Sequence, residues 1–543
     1  MSLSTGWAAR RWAPWLAVAL GALQPLALTH TAAWPLPLLG LALLAALWRG
    51  AAPRRAALLG WAHGTAALAA TVWWLFISLH RYGGLPAPLA GGAVLLLCAA
   101  LALYPAAALA WAARQRSGAP LADAARFAAA WLLAELARAV WFTGFPWGAL
   151  GYGQVDGPLA ALAPWVGVYG IGAVAALAAA ACGLGLAARW PGASGVSGVS
   201  AGPSRSASPL PWRRVLSPLA VAAALLAGPA LLGTVAFTVP SGTLTVALLQ
   251  PNVPQDEKFA AEHLPDTLAW LARQLLAADA ALVVAPETAV PMLPEQLEGL
   301  APGYWAVLQQ HFGRAGGPAA LVGVPLGNER EGYTNSVLGL SAATAQQAYR
   351  YDKTHLVPFG EFIPTGFRWF TELMNIPLGD FNRGPLAAPS FQVRGERIAP
   401  NICYEDLFGE ELARRFADPA AAPGVLANVS NIGWFGDSVA VPQHLGISRL
   451  RSLELQRPML RATNTGATAV IDHRGVVTAA LVPHTAGVLT ASVQARRGLT
   501  PFARWAAALG LWPLWALAAL GLLWPPGRGG PGGGPGGGRT VGR

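Results

Sequence analysis

Charge is what this chain has least of: 12% of its 543 residues are Asp, Glu, Lys or Arg, against 54% hydrophobic, and the mean hydropathy is +0.43. That composition excludes an ordinary soluble protein and indicates an integral membrane protein. Lysine is almost missing, since Lys258 and Lys353 stand alone among 37 basic residues. A bias towards Arg this strong suggests that a surviving lysine is kept for its compact, rotatable ammonium. Cysteine is scarce as well. Cys98, Cys182 and Cys403 form no C-x-x-C pair and sit in no local His/Cys cluster, which excludes a disulfide framework and speaks against a structural zinc. Nor is there a basic stripe with interleaved aromatics. Despite a net charge of +11, nucleic acid is therefore not an expected partner.

What is there, instead, is a series of apolar runs at about residues 13 to 29, 34 to 48, 56 to 79, 87 to 113, 122 to 142, 158 to 188, 215 to 237 and 505 to 524. Most approach the ~20 residues that cross ~30 Å of hydrocarbon as helix, so about eight transmembrane helices are expected. The second is short enough to be tilted or re-entrant, and Pro25, Pro105 and Pro164 predict kinks. The first run, preceded by Arg10 and Arg11, has the look of a signal peptide; six more runs between it and the polar region favour a retained helix. In the fifth run Glu135 and Arg138 at i, i+3 are expected to pair on one helix face, as a structural ion pair or a substrate contact.

Arginine placement sets the orientation. Arg10 and Arg11, then Arg49, Arg54 and Arg55, then Arg114 and Arg116, then Arg189, Arg205, Arg213 and Arg214 fall in alternate loops, whereas the loop from Phe142 to Gly157 has no basic residue. The positive-inside rule then puts the N-terminus in the cytoplasm and the large polar region on the far side, the periplasm of a bacterial inner-membrane protein. The expected division is helices over 1–239, an exported domain over 240–500, a last membrane helix over 501–524 and a Gly-rich tail over 525–543. Residues 191–211 read as a Gly/Ser/Pro linker.

Between 240 and 500 the pattern becomes that of a mixed α/β domain. Short β-rich runs at 244–250, 281–286, 320–325, 397–402 and 424–429 alternate with helical patterns at 407–417 and 444–456. Glu287 and Cys403 each follow such a run directly, at the strand ends where sheets of this kind place their chemistry. Glu287, stiffened by Pro286 and Pro291, is either a general base whose pKa desolvation could raise or a loop carboxylate capping a neighbour. Cys403 is the only thiol of the exported domain, so a disulfide within it is impossible and a nucleophile is favoured. A helix starting near Glu405 or Asp406, together with Lys353, would favour its thiolate. His355 and His444 are less favoured candidates for a Cys/His dyad.

The motifs PET, DKTHLVPFGEFIP, NICYEDLFG, NVSNIGWFGDS and QRPMLRATNTGATAVID, in this order, resemble the carbon–nitrogen hydrolase (nitrilase) superfamily. Set among membrane helices, with the loop TGFPWGALGYGQ at 143–154 before the domain, they resemble the apolipoprotein N-acyltransferases. The resemblance implies an αββα sandwich on a polytopic helix bundle, working without cofactor or metal and as a monomer. It implies Cys403 as nucleophile, Glu287 as base and Lys353 as partner of the tetrahedral intermediate. Glu361, Tyr404 and Glu405 would support the site, the Tyr404 N–H as an oxyanion donor. Trp434 and Phe435 would line the lipid entrance, with Trp147 and Phe259 as further substrate contacts; where relatives often carry Trp, this chain has Phe259. The implied donor is a phospholipid and the implied acceptor the α-amino group of a diacylated apolipoprotein, linked by a thioester on Cys403. A membrane-tethered amidase passing the acyl group to water is the alternative, and a transporter with an accessory domain a more distant one.

Overall fold

The computed structural model describes residues 11–188, 213–233, 235–364, 366 and 380–523. The linker over 191–211 and the tail over 525–543 lie outside the described residues, as do Arg10, Arg189 and Arg205. Proline opens many of the membrane helices: Pro35, Pro53 and Pro120 each occupy the first turn, where a missing N–H leaves no hydrogen bond unmade.

Among the described residues three helices are long and apolar enough to cross a bilayer, Thr31–Trp48, Ala87–Arg114 and Pro158–Ala187. Two bent pairs raise this to five: Pro53–Val72 with Leu75–Tyr82, bent by 63°, and Pro501–Leu509 with Trp512–Leu523, bent by 89°. The expected kinks fall where proline predicts them. The chain breaks at Leu23–Pro25, Ala102 interrupts the path just before Pro105, and the turn opened by Pro164 carries a non-helical Gly167 at φ +66°. A Cβ on Gly167 would sit 2.4 Å from the Phe502 ring, so glycine serves both the φ and the close approach. The last expected membrane helix is not continuous. Its first half, Pro501–Leu509, is amphipathic and packs Phe502, Ala503 and Ala506 on the α/β domain; Gly510, at φ +59°, then turns the chain.

The pairing expected of Glu135 and Arg138 gives way to a different arrangement. Among the described residues no ion pair joins them. Glu135 Oε1 accepts from the Leu150 N–H at 2.7 Å, and Arg138 Nη1 donates to the Phe145 and Trp147 carbonyls at 2.6 and 2.7 Å. The loop after helix Pro120–Val140 folds back into a dry interior, where its backbone groups need partners more than the two side chains need each other. Asp123 and Arg126 do pair, at 3.2 Å.

The α/β domain contains two six-stranded sheets. Strands β1 (Thr238–Gln250), β2 (Leu282–Val284), β3 (Ala319–Asn328), β4 (Gly332–Leu340) and β5 (Tyr349–Asp352) form the first with β12 (Gly487–Gly498), in the order β12-β1-β2-β3-β4-β5. The second runs β11-β10-β9-β8-β7-β6, from β6 (Phe391–Val393), β7 (Glu396–Ile402), β8 (Val425–Ser430), β9 (Met459–Thr463), β10 (Ala469–Ile471) and β11 (Val477–Ala480). Each sheet has a parallel trio, β1-β2-β3 and β7-β8-β9. Strands covered on both faces read as unbroken apolar runs, which is why all five sequence segments became strands. Val246, Leu248, Leu282 and Val284 meet Ile398, Val425, Ala427 and Leu460 between the sheets. Helices Leu264–Ala277 and Tyr304–Phe312 cover the outer face of the first sheet through Leu271, Leu275, Leu308 and Phe312. Leu412, Phe416, Leu455 and Phe502 cover the second, completing four layers.

Candidate active site

The carboxyl ends of the strands converge on one point. Glu287 leaves β2 and Cys403 leaves β7; Lys353 follows β5, a short strand that the sequence pattern does not reveal. Gly323 on β3 lets the Glu287 loop cross: a Cβ there would lie 2.2 Å from the Pro286 carbonyl oxygen and 2.8 Å from the Glu287 Cα. Cys403 sits at φ +52°, a left-handed conformation costly for a residue with a side chain, and opens a tight turn over Cys403–Leu407. The helix expected over 407–417 is broken into this turn, a helical turn at Gly409–Ala413 and another over Arg414–Phe416.

One buried cluster holds three of the predicted residues. Lys353 Nζ donates to Glu287 Oε1 at 3.2 Å and to Glu361 Oε1 at 2.8 Å, and is 1% exposed. Asn335 Nδ2 donates to the same two oxygens at 2.7 Å each, and the Asn431 N–H to Glu287 Oε2 at 2.8 Å. Glu361 Oε2 accepts from the Val357 N–H at 2.8 Å. Each carboxylate is thus fixed by donors from separate elements, so the geometry does not depend on any single loop.

Electrostatics here run against the sequence expectation. Burial pushes the Glu287 pKa up, but Lys353, Asn335, Lys258 and the Asn431 N–H together hold it below the ordinary carboxylate value. Burial pushes Lys353 down, yet Glu287 and Glu361 outweigh it and raise its pKa, so the ammonium stays charged. Burial is also the largest influence on Cys403. Glu287 adds to it and Lys353 only partly offsets it, leaving the thiol well above its usual pKa. The five-residue turn supplies no dipole strong enough to reverse this, so the expected resting thiolate is replaced by a thiol beside an ionised base. Two consequences follow for solution behaviour. Alkylation of Cys403 by iodoacetamide at neutral pH proceeds more slowly than that of a free cysteine thiol. Because Glu287 is ionised throughout, the acylation of Cys403 that the sequence resemblance implies is expected to stay flat from pH 8 down to about 5 and to decline only below about 4.5. A decline centred near pH 6 to 7 would restore the elevated pKa read from the sequence.

Glu405 ties the Cys403 turn to the Lys353 strand. Its Oε2 accepts from the Ile402 N–H at 2.6 Å and Tyr351 Oη at 2.8 Å, its Oε1 from the Thr354 and His355 N–H groups at 2.6 and 3.2 Å. Glu405→Ala strands three backbone donors in the interior. The expected loss is about 3 kcal/mol, seen as a lower unfolding midpoint of the purified protein, with a parallel loss of activity. Tyr404 is buried, donates its Oη to the Gly144 carbonyl at 3.2 Å and packs on Phe408.

The other predicted residues surround this centre at different depths. Trp147 is buried, with Nε1 donating to Gln443 Oε1 at 2.8 Å and its ring against Trp74. Phe435 packs on Trp74 and half-buried Trp434 on Tyr82, while Phe259 is half exposed. Neither histidine serves as a dyad partner. His355 bonds Glu411 and the Thr143 carbonyl, and His444 bonds Asp406, Arg461 and the Cys403 carbonyl rather than its sulfur. Sequence reasoning missed Asn335, which lies mid-strand in no motif, and Asn431, although NVSNIGWFGDS had been singled out. It also gave Lys258 no part in the site. Lys258 is 5% exposed and donates to the Glu287 carbonyl at 3.1 Å, and the same scarcity of lysine that marked Lys353 marks it too.

Comparison with known proteins gives matches over both halves. Residues 20–181 match the family described as apolipoprotein N-acyltransferase N-terminal domain, and residues 245–501 match carbon-nitrogen hydrolase. The apolipoprotein N-acyltransferase of Verminephrobacter eiseniae is 53% identical over 503 residues, covering 88% of this chain and 89% of that protein. That of Ralstonia nicotianae is 46% identical, covering 94% and 93%, and that of Bordetella bronchiseptica 43%, covering 87% of each.

Proposed function

The chain belongs to the apolipoprotein N-acyltransferase family, and from that premise we propose that it moves a fatty acyl group from a phospholipid to the α-amino group of a diacylated apolipoprotein through a thioester on Cys403. The observation that carries this reading is the placement of the Cys403 turn, at the carboxyl end of β7, beside a buried carboxylate already ionised by an adjacent ammonium. In the first half, Glu287 takes the thiol proton as sulfur attacks the ester carbonyl. Negative charge develops on the carbonyl oxygen next to Lys353 and the Tyr404 N–H, which stabilise it in a site that excludes water. The C–O bond breaks, and the proton on Glu287 passes to the departing lysophospholipid. In the second half the acceptor nitrogen attacks the thioester, the C–S bond breaks and the triacylated product leaves.

Phe259, Trp434 and Phe435 form the lipid-facing side of the site in this reading, with buried Trp147 behind them against Trp74 and Phe259 supplying an aromatic body without an indole N–H. The spans beyond the five counted by length and composition are 13–29, 120–140 and 216–231. Helix 120–140 carries charge but directs it inward, as a buried bundle helix does. Seven of these eight crossings precede the α/β domain, so a cytoplasmic N-terminus puts it in the periplasm above the inner membrane in this reading, where a monomer meets both substrates by lateral diffusion. Both substrates carry acyl chains that hold them in the bilayer by about 0.8 kcal/mol per buried CH₂, so the enzyme must go to them. The test is mass spectrometry of the full-length protein after incubation with phospholipid. A hydroxylamine-labile fatty acyl group on the Cys403 peptide is expected, and a label elsewhere would overturn the assignment.

A further inference from the structure

The chain's only two lysines converge on one carboxylate residue. Lys353 reaches Glu287 through its side chain, Lys258 through its backbone carbonyl, from the loop that follows β1. Only one hydrogen-bond acceptor meets Lys258 Nζ among the described residues, although an ammonium has three protons to place. A buried cation satisfied on one side only is penalised relative to the neutral amine, unless a ligand completes its shell. Its neighbours on other elements are the Glu287 carboxylate and Cys403, both near enough to act on its charge, with Lys353 and Glu361 behind Glu287. On its own loop, Asp256 is turned away to Arg81 at 2.7 Å and Glu257 faces solvent. Burial outweighs the raising influence of Glu287 and Cys403 and lowers the Lys258 pKa to about 8.

The loop also lies where an acceptor rising from the bilayer would meet it. Arg81 belongs to the bent end of a membrane helix, Tyr82 beside it packs on Trp434, and half-exposed Phe259 follows Lys258 directly. The acceptor poses a proton problem that Glu287 alone does not solve. An α-amino group is mostly an ammonium below pH about 8, and converting it to an amide releases two protons, only one of which returns to the Cys403 sulfur.

Resting on the proposed acyl transfer, we infer that Lys258 is a further catalytic residue, the base that removes the first proton from the acceptor's α-ammonium. The ammonium proton moves to the Lys258 amine, and the freed lone pair forms the C–N bond while the C–S bond breaks. The second proton passes through Glu287 to the leaving thiolate, and Lys258 returns its proton to water. Lys353, held charged between two carboxylates, cannot take this part.

The experiment separates the half-reactions in the full-length enzyme. Acyl-Cys403 is first formed from phospholipid and quantified, then mixed with a synthetic diacylated lipopeptide between pH 6.5 and 9. In Lys258→Met, transfer to the lipopeptide at pH 7 falls roughly 10²-fold more than formation of acyl-Cys403, and the gap narrows above pH about 8, where the acceptor is already unprotonated. Lys258→Arg is equally slow, because a guanidinium cannot accept the proton. An equal loss in both halves, a defect that does not change with pH, or rescue by Arg each overturns the inference in favour of a fixed positive charge. If acyl-Cys403 never forms in the unaltered enzyme, the acyl-transfer reading falls and this inference with it.

Discussion

Cys403→Ala abolishes acyl transfer from phospholipid to a diacylated lipopeptide, by about a millionfold, while the protein still inserts in the membrane and unfolds at close to its original temperature. The size follows from the role. In the proposed mechanism only the Cys403 sulfur carries the acyl group between two substrates, and the neighbouring Glu287 and Lys353 cannot substitute, being held to each other and to Glu361 and Asn335. Stability is spared because the side chain is part-buried, makes no hydrogen bond and is replaced by a smaller one at the edge of the inter-sheet core. Relief of side-chain crowding at φ +52° is slight, since alanine also carries a Cβ. Residual turnover above about one part in a thousand would place the nucleophile elsewhere.

Lys353→Met produces the second largest effect and damages the fold as well as the reaction. It leaves Glu287 and Glu361, both hydrogen-bonded to Asn335 Nδ2, without the cation between them. Two buried carboxylates this close do not both stay ionised, so the Glu287 pKa rises. The stability cost is about 3–5 kcal/mol, the usual result of removing one member of a buried ion pair. Activity falls by about 10³- to 10⁴-fold, combining a lost oxyanion partner with a base now protonated at neutral pH. The sign of the pH dependence follows. The unaltered protein acylates at a flat rate above pH about 5, whereas residual acylation in the variant rises with pH as Glu287 gives up its proton. A variant whose profile remains flat would show that Lys353 does not govern the ionisation of Glu287. Arg does not restore activity, because a planar fork cannot fit where a single Nζ meets Glu287 and Glu361 at 3.2 and 2.8 Å.

Much of this architecture is written in local composition. Five apolar runs became strands because a sheet covered on both faces tolerates no polar alternation, and two of the three central residues followed those strands. The third strand end, Tyr349–Asp352, stayed hidden because its alternating, half-polar sequence looks like a loop. The direction of the Glu287 pKa was also illegible. Burial can be anticipated from an apolar strand, but the opposing donors arrive from residues 258, 335, 353 and 431, and no local reading brings those together. The region 407–417 reads as one helix from its periodicity, yet the Glu405 side chain turns back to the Ile402 N–H and the chain restarts at Gly409. The bends within two of the membrane spans were illegible for a related reason. Hydropathy records how much apolar length is present and says nothing of the 63° and 89° bends within it.

The loop after helix 120–140 has a wider meaning. It offers the Thr143 and Gly144 carbonyls to His355 and Tyr404, Tyr152 donates to the Leu407 carbonyl at 2.9 Å, and Trp147 grips Gln443. Part of the mould that shapes the Cys403 turn is therefore supplied by the helical half of the chain. A water-soluble truncate starting at Thr238 would keep every reacting atom and lose the scaffold that aims them, so anchor and reagent are one machine rather than a catalyst on a leash.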